Sequence, residues 1–475
     1  MQGDLMEPLE SRAAGHDSAM CAMAMALAAV SMGYAIDLND GLYSRQAILF
    51  LSISLAFCAA AIVIPPVRSS ERLAPRRLPF VLGAGIAVQT VLLVERFGFK
   101  PLAIAGFGMI SLLGLLQASD LRWLRIPALT IMVAAFVFEG GRVISKSPHI
   151  DVYTFDQKAS AALLHGSNPY EVRIPNIYSD LEWYGPRLVD QRGYLTFGFP
   201  YPPMSLLMML PGFLLGGDVR YAQLVAIVAS ALLMGCAQPG RARRIGALAG
   251  ILFLTTPCVF FVLGSAWTEP LLILNFSLLM LCACRWRKGL PWALGLFLST
   301  KQYSVLALPL LPLLVRGPGW WKELRGVVIK AGIVVAMVNL PFLLWNVREF
   351  TKGVVLLQFL LPFRKDALSY LVSIYSGSGA NPPLWIFLPV LIASIVLALW
   401  RGTRSPAGFA AAVTLVSAFF FAFNKSAFCN YYYFAIATAC WSIAAAKLPE
   451  GPGPGSFAPS AHDYSARTTS SSPSK

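Results

Sequence analysis

Charged residues are scarce in this 475-residue sequence. Asp, Glu, Lys and Arg together make up 13% of it, whereas a soluble protein usually contains about 25%. Hydrophobic residues make up 57%, and many of them form runs close to the roughly 20 residues that cross a bilayer as a helix. The composition therefore excludes a soluble enzyme and a disordered chain, and it predicts an integral membrane protein.

Acidic residues are the scarcer kind of charge. The chain has 23 Asp and Glu against 38 Lys and Arg, which gives a net charge of +15. The basic residues are divided among short loops and do not form one patch, so we expect no nucleic-acid partner. Their distribution instead reports how the chain is oriented in a membrane.

Metal-binding and redox patterns are also missing from the sequence. It has four His and eight Cys, without a C-x-x-C pair or a His at ligand spacing from another His or Cys. We therefore interpret the cysteines as small apolar core residues and predict neither a metal site nor an organic cofactor. A divalent-metal requirement stays open.

The apolar runs predict an all-α, polytopic transmembrane protein with about 14 crossings, some of them short. These segments are 19–36, 46–67, 78–94, 101–118, 126–144, 219–238, 245–263, 270–284, 289–299, 303–315, 326–345, 384–400, 407–423 and 430–446. They form a single transmembrane domain, 19–446, between a cytoplasmic N-terminus, 1–18, and a disordered cytoplasmic tail, 447–475. The acidic 1–18 segment lacks the positive charge of a cleavable signal peptide.

The basic clusters assign an orientation in the plasma (inner) membrane. One orientation places every cluster in the cytoplasm when 289–299 and 303–315 are two short spans that turn at Lys301. Both termini then lie in the cytoplasm, and two long segments, 145–218 and 346–383, lie outside it. The clusters occur at 68–77, 122–125, 241–244, 285–288, 316–325 and 401–404.

Two acids follow the fifth apolar segment, at Asp151 and Asp156. An acid where a helix leaves the membrane sits at low dielectric, which raises its pKa and suits it to accept a proton. Alternatively, one of these residues caps the following helix, since Asp is a preferred N-cap residue. The residue pattern by itself leaves both roles open.

The order of several motifs resembles glycosyltransferase family 87, a group of polytopic enzymes in the GT-C superfamily. The resemblance covers roughly residues 125–345. It rests on an acid after an early helix, Ala161–Tyr170 (AALLHGSNPY), Phe199–Leu207 (FPYPPMSLL) and Ser299–Tyr303 (STKQY). The resemblance implies a GT-C-like fold and places Asp151 at the family's catalytic Asp, with Asp156 as the second candidate.

This family includes polyprenol-phosphate-mannose-dependent mannosyltransferases. The resemblance therefore implies transfer of a hexose, mannose first, from a polyprenyl-phosphate donor to a lipid or glycan acceptor outside the cytoplasm. Such a transfer needs a base for the acceptor hydroxyl and cations for the leaving phosphate, and direct attack predicts inversion. The alternatives are a pentose or diphosphate-linked donor and, from another class, a transporter or flippase.

Three cations are candidates for the donor phosphate. Lys301 stands alone between two apolar runs, where a charge is costly and marks a functional site, although a lysine can also snorkel to the interface. Arg364 and Lys365, in the second outer segment, suit a phosphate or anionic lipid headgroups equally well.

Further residues are candidates for binding the substrate. Glu269, at an outer turn, pairs with Lys301, binds a sugar hydroxyl, or serves only the start of its helix. The other candidates are Tyr201, Tyr303 and Arg348. Trp183, Tyr184 and Tyr194 can stack on sugars, although aromatic residues are also common at membrane interfaces.

Overall fold

The computed structural model describes residues 19–64, 74–98, 122–178, 183–239, 242–315, 317 and 319–447. The predicted N-terminal segment 1–18, the predicted crossing 101–118 and nearly all of the predicted tail 447–475 lie outside these residues.

Within the described ranges the chain is helical, and its strand-like pairing is limited to three isolated bridges. The predicted all-α class is confirmed for this part of the chain. The helices are α1 (Ala19–Asp37), α2 (Arg45–Val63), α3 (Ala74–Phe97), α4 (Arg122–Ile144), α5 (Asp151–Leu164), α6 (Pro203–Gly216), α7 (Arg220–Gly235), α8 (Ala242–Leu254), α9 (Val259–Gly264), α10 (Glu269–Arg285), α11 (Leu290–Leu298), α12 (Trp320–Trp345), α13 (Val347–Thr351), α14 (Leu357–Leu360), α15 (Tyr370–Ser378), α16 (Phe387–Arg401), α17 (Pro406–Ala422) and α18 (Cys429–Ala444).

Among the described helices, five are long and apolar enough to cross a membrane. The pair α6 and α7 would count as a sixth span, although its two halves meet at 114°. This finding supports a helical membrane protein, and by itself it does not establish fourteen crossings. The five segments are Ala19–Asp37, Arg45–Val63, Arg77–Phe97, Trp320–Trp345 and Leu384–Arg401.

Prolines break or tighten two of the predicted helices. The predicted segment 245–263 is divided into α8 and α9 next to Pro257, which has no backbone N–H to continue the helix. The segment at 303–315 is a 3₁₀ helix, Gln302–Leu314, with prolines at 309 and 312. It is separate from α11, so the predicted break at Lys301 is present, whereas a reversal of chain direction there stays a prediction.

The main hydrophobic core surrounds α18. Every residue of this helix except Tyr431 is buried. The indole of Trp441 donates to Ser277 Oγ of α10 at 2.8 Å, and the hydroxyls of Thr414 and Thr438 join α17 to α18 at 2.9 Å. The helix therefore lies at the centre of the bundle.

A second hydrophobic core joins the two predicted outer segments. The ring of Tyr170 lies 4.9 Å from that of Phe350, and Phe199 packs beside them. The backbone approaches closely at Gly353, where an added Cβ would lie 2.6 Å from the carbonyl oxygen of Phe199. Gly353 belongs to a π-helical turn, Lys352–Leu356, between α13 and α14. The two segments thus lie on the same face of the bundle.

Arg220 fastens α5 to the bundle. Its buried guanidinium donates to the carboxylate of Asp218 and to the carbonyl oxygens of Ile144 and Lys146, at 2.6, 2.8 and 3.0 Å. The hydroxyl of Tyr153, on α5, donates to Asp218 at 3.1 Å, and the guanidinium lies 4.8 Å from its ring centroid. One side chain therefore ties the end of α4 and the start of α7 to α5.

Replacing Arg220 by Met is expected to destabilise the protein by about 3–5 kcal/mol, because it leaves the Asp218 carboxylate without its cation. Thermal unfolding in detergent measures the effect. Arg187→Met, which changes an exposed arginine, should stay within about 0.5 kcal/mol of the wild type. Equal melting temperatures for the two variants would contradict the anchoring role of Arg220.

Candidate active site

Asp151 is the first residue of α5, and it is partly exposed. Its Oδ1 accepts a hydrogen bond from the backbone N–H of Val152 at 2.7 Å, and its own N–H donates to the hydroxyl of Tyr178 at 3.3 Å. The N-cap residue is Ile150, whose side chain makes no capping hydrogen bond. The alternative that Asp151 or Asp156 caps this helix is therefore wrong, because the cap position belongs to Ile150 and the oxygens of Asp156 accept no hydrogen bond.

An aromatic wall stands beside Asp151. The hydroxyl of Tyr184 donates to Asp151 Oδ2. The rings of Tyr178 and Trp183 are stacked, with centroids 4.4 Å apart. The guanidinium of Arg364 covers Trp183 at 3.6 Å from the ring centroid. A planar cation and three aromatic rings thus gather around one carboxylate.

Burial raises the pKa of Asp151 above that of an ordinary aspartate. The hydrogen bonds from Tyr184 and Val152 and the charge of Arg364 act in the opposite direction. A carboxylate whose pKa is raised, and which reaches solvent, is suited to accept a proton.

A second group of candidate residues surrounds a buried ion pair. The Lys301 ammonium is 3.0 Å from Glu269 Oε1 and donates to Thr268 Oγ1 at 2.7 Å. It also lies 4.2 Å from the ring centroid of Tyr201. The hydroxyl of Tyr303 donates to Glu269 Oε1 at 3.1 Å. The predicted pairing of Glu269 with Lys301 is thus present, and four of the predicted site residues are neighbours.

Asp156 is fully buried and has no hydrogen-bond partner on either carboxylate oxygen. Burial raises its pKa well above the ordinary value, while the nearby charge of Lys301 lowers it and those of Glu269 and Asp151 raise it. Asp156 therefore lies close to the Lys301–Glu269 pair, and it is shielded from solvent where Asp151 is not.

Local backbone features bring these residues together. Ala266 has a φ of +54°, which is uncommon for a residue with a side chain, and its carbonyl accepts from Gln223 Nε2 at 2.9 Å. This turn leads directly into Glu269 at the start of α10. Lys301 is extended, and the next residue, Gln302, donates through Nε2 to the Pro200 carbonyl at 2.7 Å. The segment before α6 is thereby held against the ion pair.

The sequence interpretation did not single out Tyr178 or Tyr431. Tyr431 is the one residue of α18 that is not buried; its ring centroid lies 5.6 Å from that of Tyr303, and the charges of Glu269 and Arg364 act on its hydroxyl. Tyr431 is the first of three consecutive tyrosines in α18, and the sequence of this helix contains no periodic signal that would identify it. Tyr178 carries no motif, and its role follows from the fold of the first outer segment.

Other predicted residues lie away from the buried pair. The side chain of Arg348 is 90% exposed and lies 3.9 Å from Glu349. Lys365 is exposed, 5.3 Å from the Tyr375 ring centroid. Tyr194 lies under Arg173 at 5.7 Å. The structure does not bring these three to Asp151 or Lys301, and their binding roles remain predictions.

The buried pair generates a stability prediction. Lys301→Met leaves Glu269 buried without a cation and should cost about 3–5 kcal/mol. Adding Glu269→Gln removes the unpaired negative charge. The double variant should therefore lose about 0.5–3 kcal/mol less stability than the two single variants lose in sum. Thermal unfolding of the four proteins measures this coupling, and strict additivity would show that the two side chains do not interact.

Comparison of the chain with protein-family models, with curated proteins and with solved structures found no match. The candidate site therefore rests on its own geometry and on the sequence resemblance.

Proposed function

We propose that the protein is a membrane glycosyltransferase that moves a hexose, mannose first, from a polyprenyl-phosphate donor to a lipid or glycan acceptor. The observation that supports this most directly is Asp151, a partly exposed carboxylate with a raised pKa. It stands among aromatic rings and beside the cation Arg364.

In this mechanism Asp151 takes the proton of the acceptor hydroxyl as that oxygen attacks the anomeric carbon. The bond from this carbon to the phosphate oxygen breaks, and the phosphate leaves as an anion. The configuration inverts because the acceptor attacks directly. Tyr184, which donates to Asp151 Oδ2, orients the carboxylate for this step.

Cationic groups stabilise the charge on the leaving phosphate. Arg364 lies between Trp183 and Phe428, at 3.6 and 4.7 Å from their ring centroids, so its guanidinium is preoriented. It also pairs with Asp366 at 2.6 Å, which an incoming phosphate would have to replace or share. Lys301 is the second cation, behind Tyr201, and Lys365 can reach only a more exposed part of the donor.

The same proposal includes a GT-C-like arrangement with about 14 crossings, both termini in the cytoplasm and the site outside it, in the plasma (inner) membrane. The packing of 145–218 against 346–361 in the second core supports a common side for the two segments. The basic clusters between the other helices support the direction.

A transporter or flippase is the second candidate function. The buried cluster of Asp156, Glu269 and Lys301 favours it, because ionisable residues inside a membrane protein often lie on an ion or substrate path. Transfer assays separate the two functions, since a transporter moves a labelled lipid-linked sugar without passing the sugar to an acceptor.

The principal experiment incubates membranes containing the protein with a panel of radiolabelled polyprenyl-phosphate sugars. We expect label in a new acceptor with the wild type, and a rate lower by about 10²–10⁴-fold with Asp151→Asn, which keeps the shape but cannot take the proton. Asp190→Asn is the matched control, because Asp190 only accepts backbone N–H groups within its own turn.

Label that stays in the donor across the whole panel would refute the transferase and favour transport.

The pH dependence gives a second readout. Asp151 works as a base only when it is ionised, so kcat/KM should fall as the pH drops through its raised pKa. Because the Arg364 charge lowers this pKa, Arg364→Met should move the acid limb to higher pH. If the acid limb of the pH profile stays at the same pH in Arg364→Met, the charge of Arg364 does not act on Asp151.

The sidedness is tested with single cysteines in a cysteine-free protein, labelled by an impermeant reagent on intact cells. Positions in 145–218 and 346–383 should react from outside, whereas positions in 68–77, 241–244 and 316–325 should react only after permeabilisation. Reaction beside Arg243 from outside would reverse the proposed orientation.

A further inference from the structure

The cluster of Asp156, Glu269 and Lys301 has more acidic than basic groups, and all three are buried. Both oxygens of Asp156 and the Oε2 of Glu269 are buried without a hydrogen-bond partner. A net negative charge on these buried oxygens would be costly. The cluster is electrically balanced when Asp156 carries a proton and Lys301 pairs with ionised Glu269.

Lys301 already has close neighbours inside the protein. Its ammonium has three N–H groups, and three neighbours surround it: Thr268 Oγ1 at 2.7 Å, Glu269 Oε1 at 3.0 Å and the Tyr201 ring at 4.2 Å from its centroid. The residue is 4% exposed. An anion that binds Lys301 must therefore displace one of them, and Glu269 is the partner that an anionic oxygen replaces like for like.

Glu269 retains few stabilising contacts once Lys301 no longer pairs with it. The hydroxyl of Tyr303 still donates to Oε1, and Oε2 has no partner. The groups that face Glu269 include one further acid and three phenols, none of which supplies a positive charge. They are Asp156 of α5, Tyr201 before α6, Tyr303 of the 3₁₀ helix and Tyr431 of α18, in addition to Lys301 itself.

We propose that binding of a phosphodiester anion to Lys301 takes up about one proton, and that Glu269 carries it. The inference rests on the proposed function, because it concerns the phosphate of the lipid-linked donor. In the exchange the Lys301–Glu269 ion pair is replaced by a Lys301–phosphate pair, and a proton from solvent neutralises the released carboxylate. A buried carboxylate without a cation is avoided in this way.

The sign of the pH effect follows from linkage. The bound state holds more protons than the free state, so binding strengthens as the pH falls, by about tenfold per pH unit where the uptake is one proton. We expect Asp156, whose two buried oxygens have no hydrogen-bond partner, to stay neutral in both states and to add nothing to the count. Donor binding and the proton concentration outside the cytoplasm would thereby be coupled.

The test uses the purified full-length protein and farnesyl methyl phosphate, a phosphodiester whose own charge does not change at the pH values used. Calorimetric titration in two buffers of different ionisation enthalpy gives the number of protons taken up. We expect about one for the wild type. Glu269→Gln should show almost none, with an affinity that no longer depends on pH, and Asp156→Asn should remain near one.

Farnesol, which has the same chain and no charge, controls for uptake caused by the lipid tail. Wild-type binding of the diester without proton uptake would overturn the inference, since Tyr201 or Thr268 would then be the displaced partner. Persistent uptake in folded Glu269→Gln would overturn it too. If the diester fails to bind while sugar transfer is measurable, the anion site is not at Lys301; if no donor in the panel is used, the proposed function itself fails.

Discussion

The Lys301–Glu269 ion pair connects the helix bundle to the outer segments. Lys301 is the extended residue between α11 and the 3₁₀ helix, and Glu269 begins α10. Neither charge tolerates burial alone, so the two elements must end at the same depth. Tyr201 then covers the ammonium, and Gln302 holds the segment that carries Tyr201. Asp156 consequently lies near a cation that the surrounding structure has already desolvated.

Much of this arrangement could be predicted from local sequence. Long apolar runs predicted the helices, and an isolated lysine between two of them identified Lys301. A signal for Asp156 was also present, because Val152, Phe155, Asp156 and Ala159 fall on one face of α5 at helical spacing. An acid within an apolar stripe is expected to be buried and neutral, which separates its role from that of Asp151.

The remaining features depend on distant contacts that no local pattern contains. Arg220 binds carbonyl groups at 144 and 146, and only the fold brings these into reach. Tyr431 is less buried than its neighbours in α18, although Tyr303 packs 5.6 Å from its ring, and this difference depends on distant contacts. The interruption of the helix at Pro257, between α8 and α9, could have been predicted from the sequence, because a proline within a helix removes a backbone donor.

The π-helical turn at Lys352–Leu356 places one more residue in the chain than an α-helical turn would. Loss of a single residue there would restore α geometry and remove the local change in backbone direction that the extra residue produces. The carbonyl of Val354, which accepts from Gln302 Nε2 at 3.2 Å, would turn away, and Gly353 would leave its contact with Phe199. The length of this turn is therefore constrained, and so is its composition at Gly353, where an added Cβ would lie 2.6 Å from the carbonyl oxygen of Phe199.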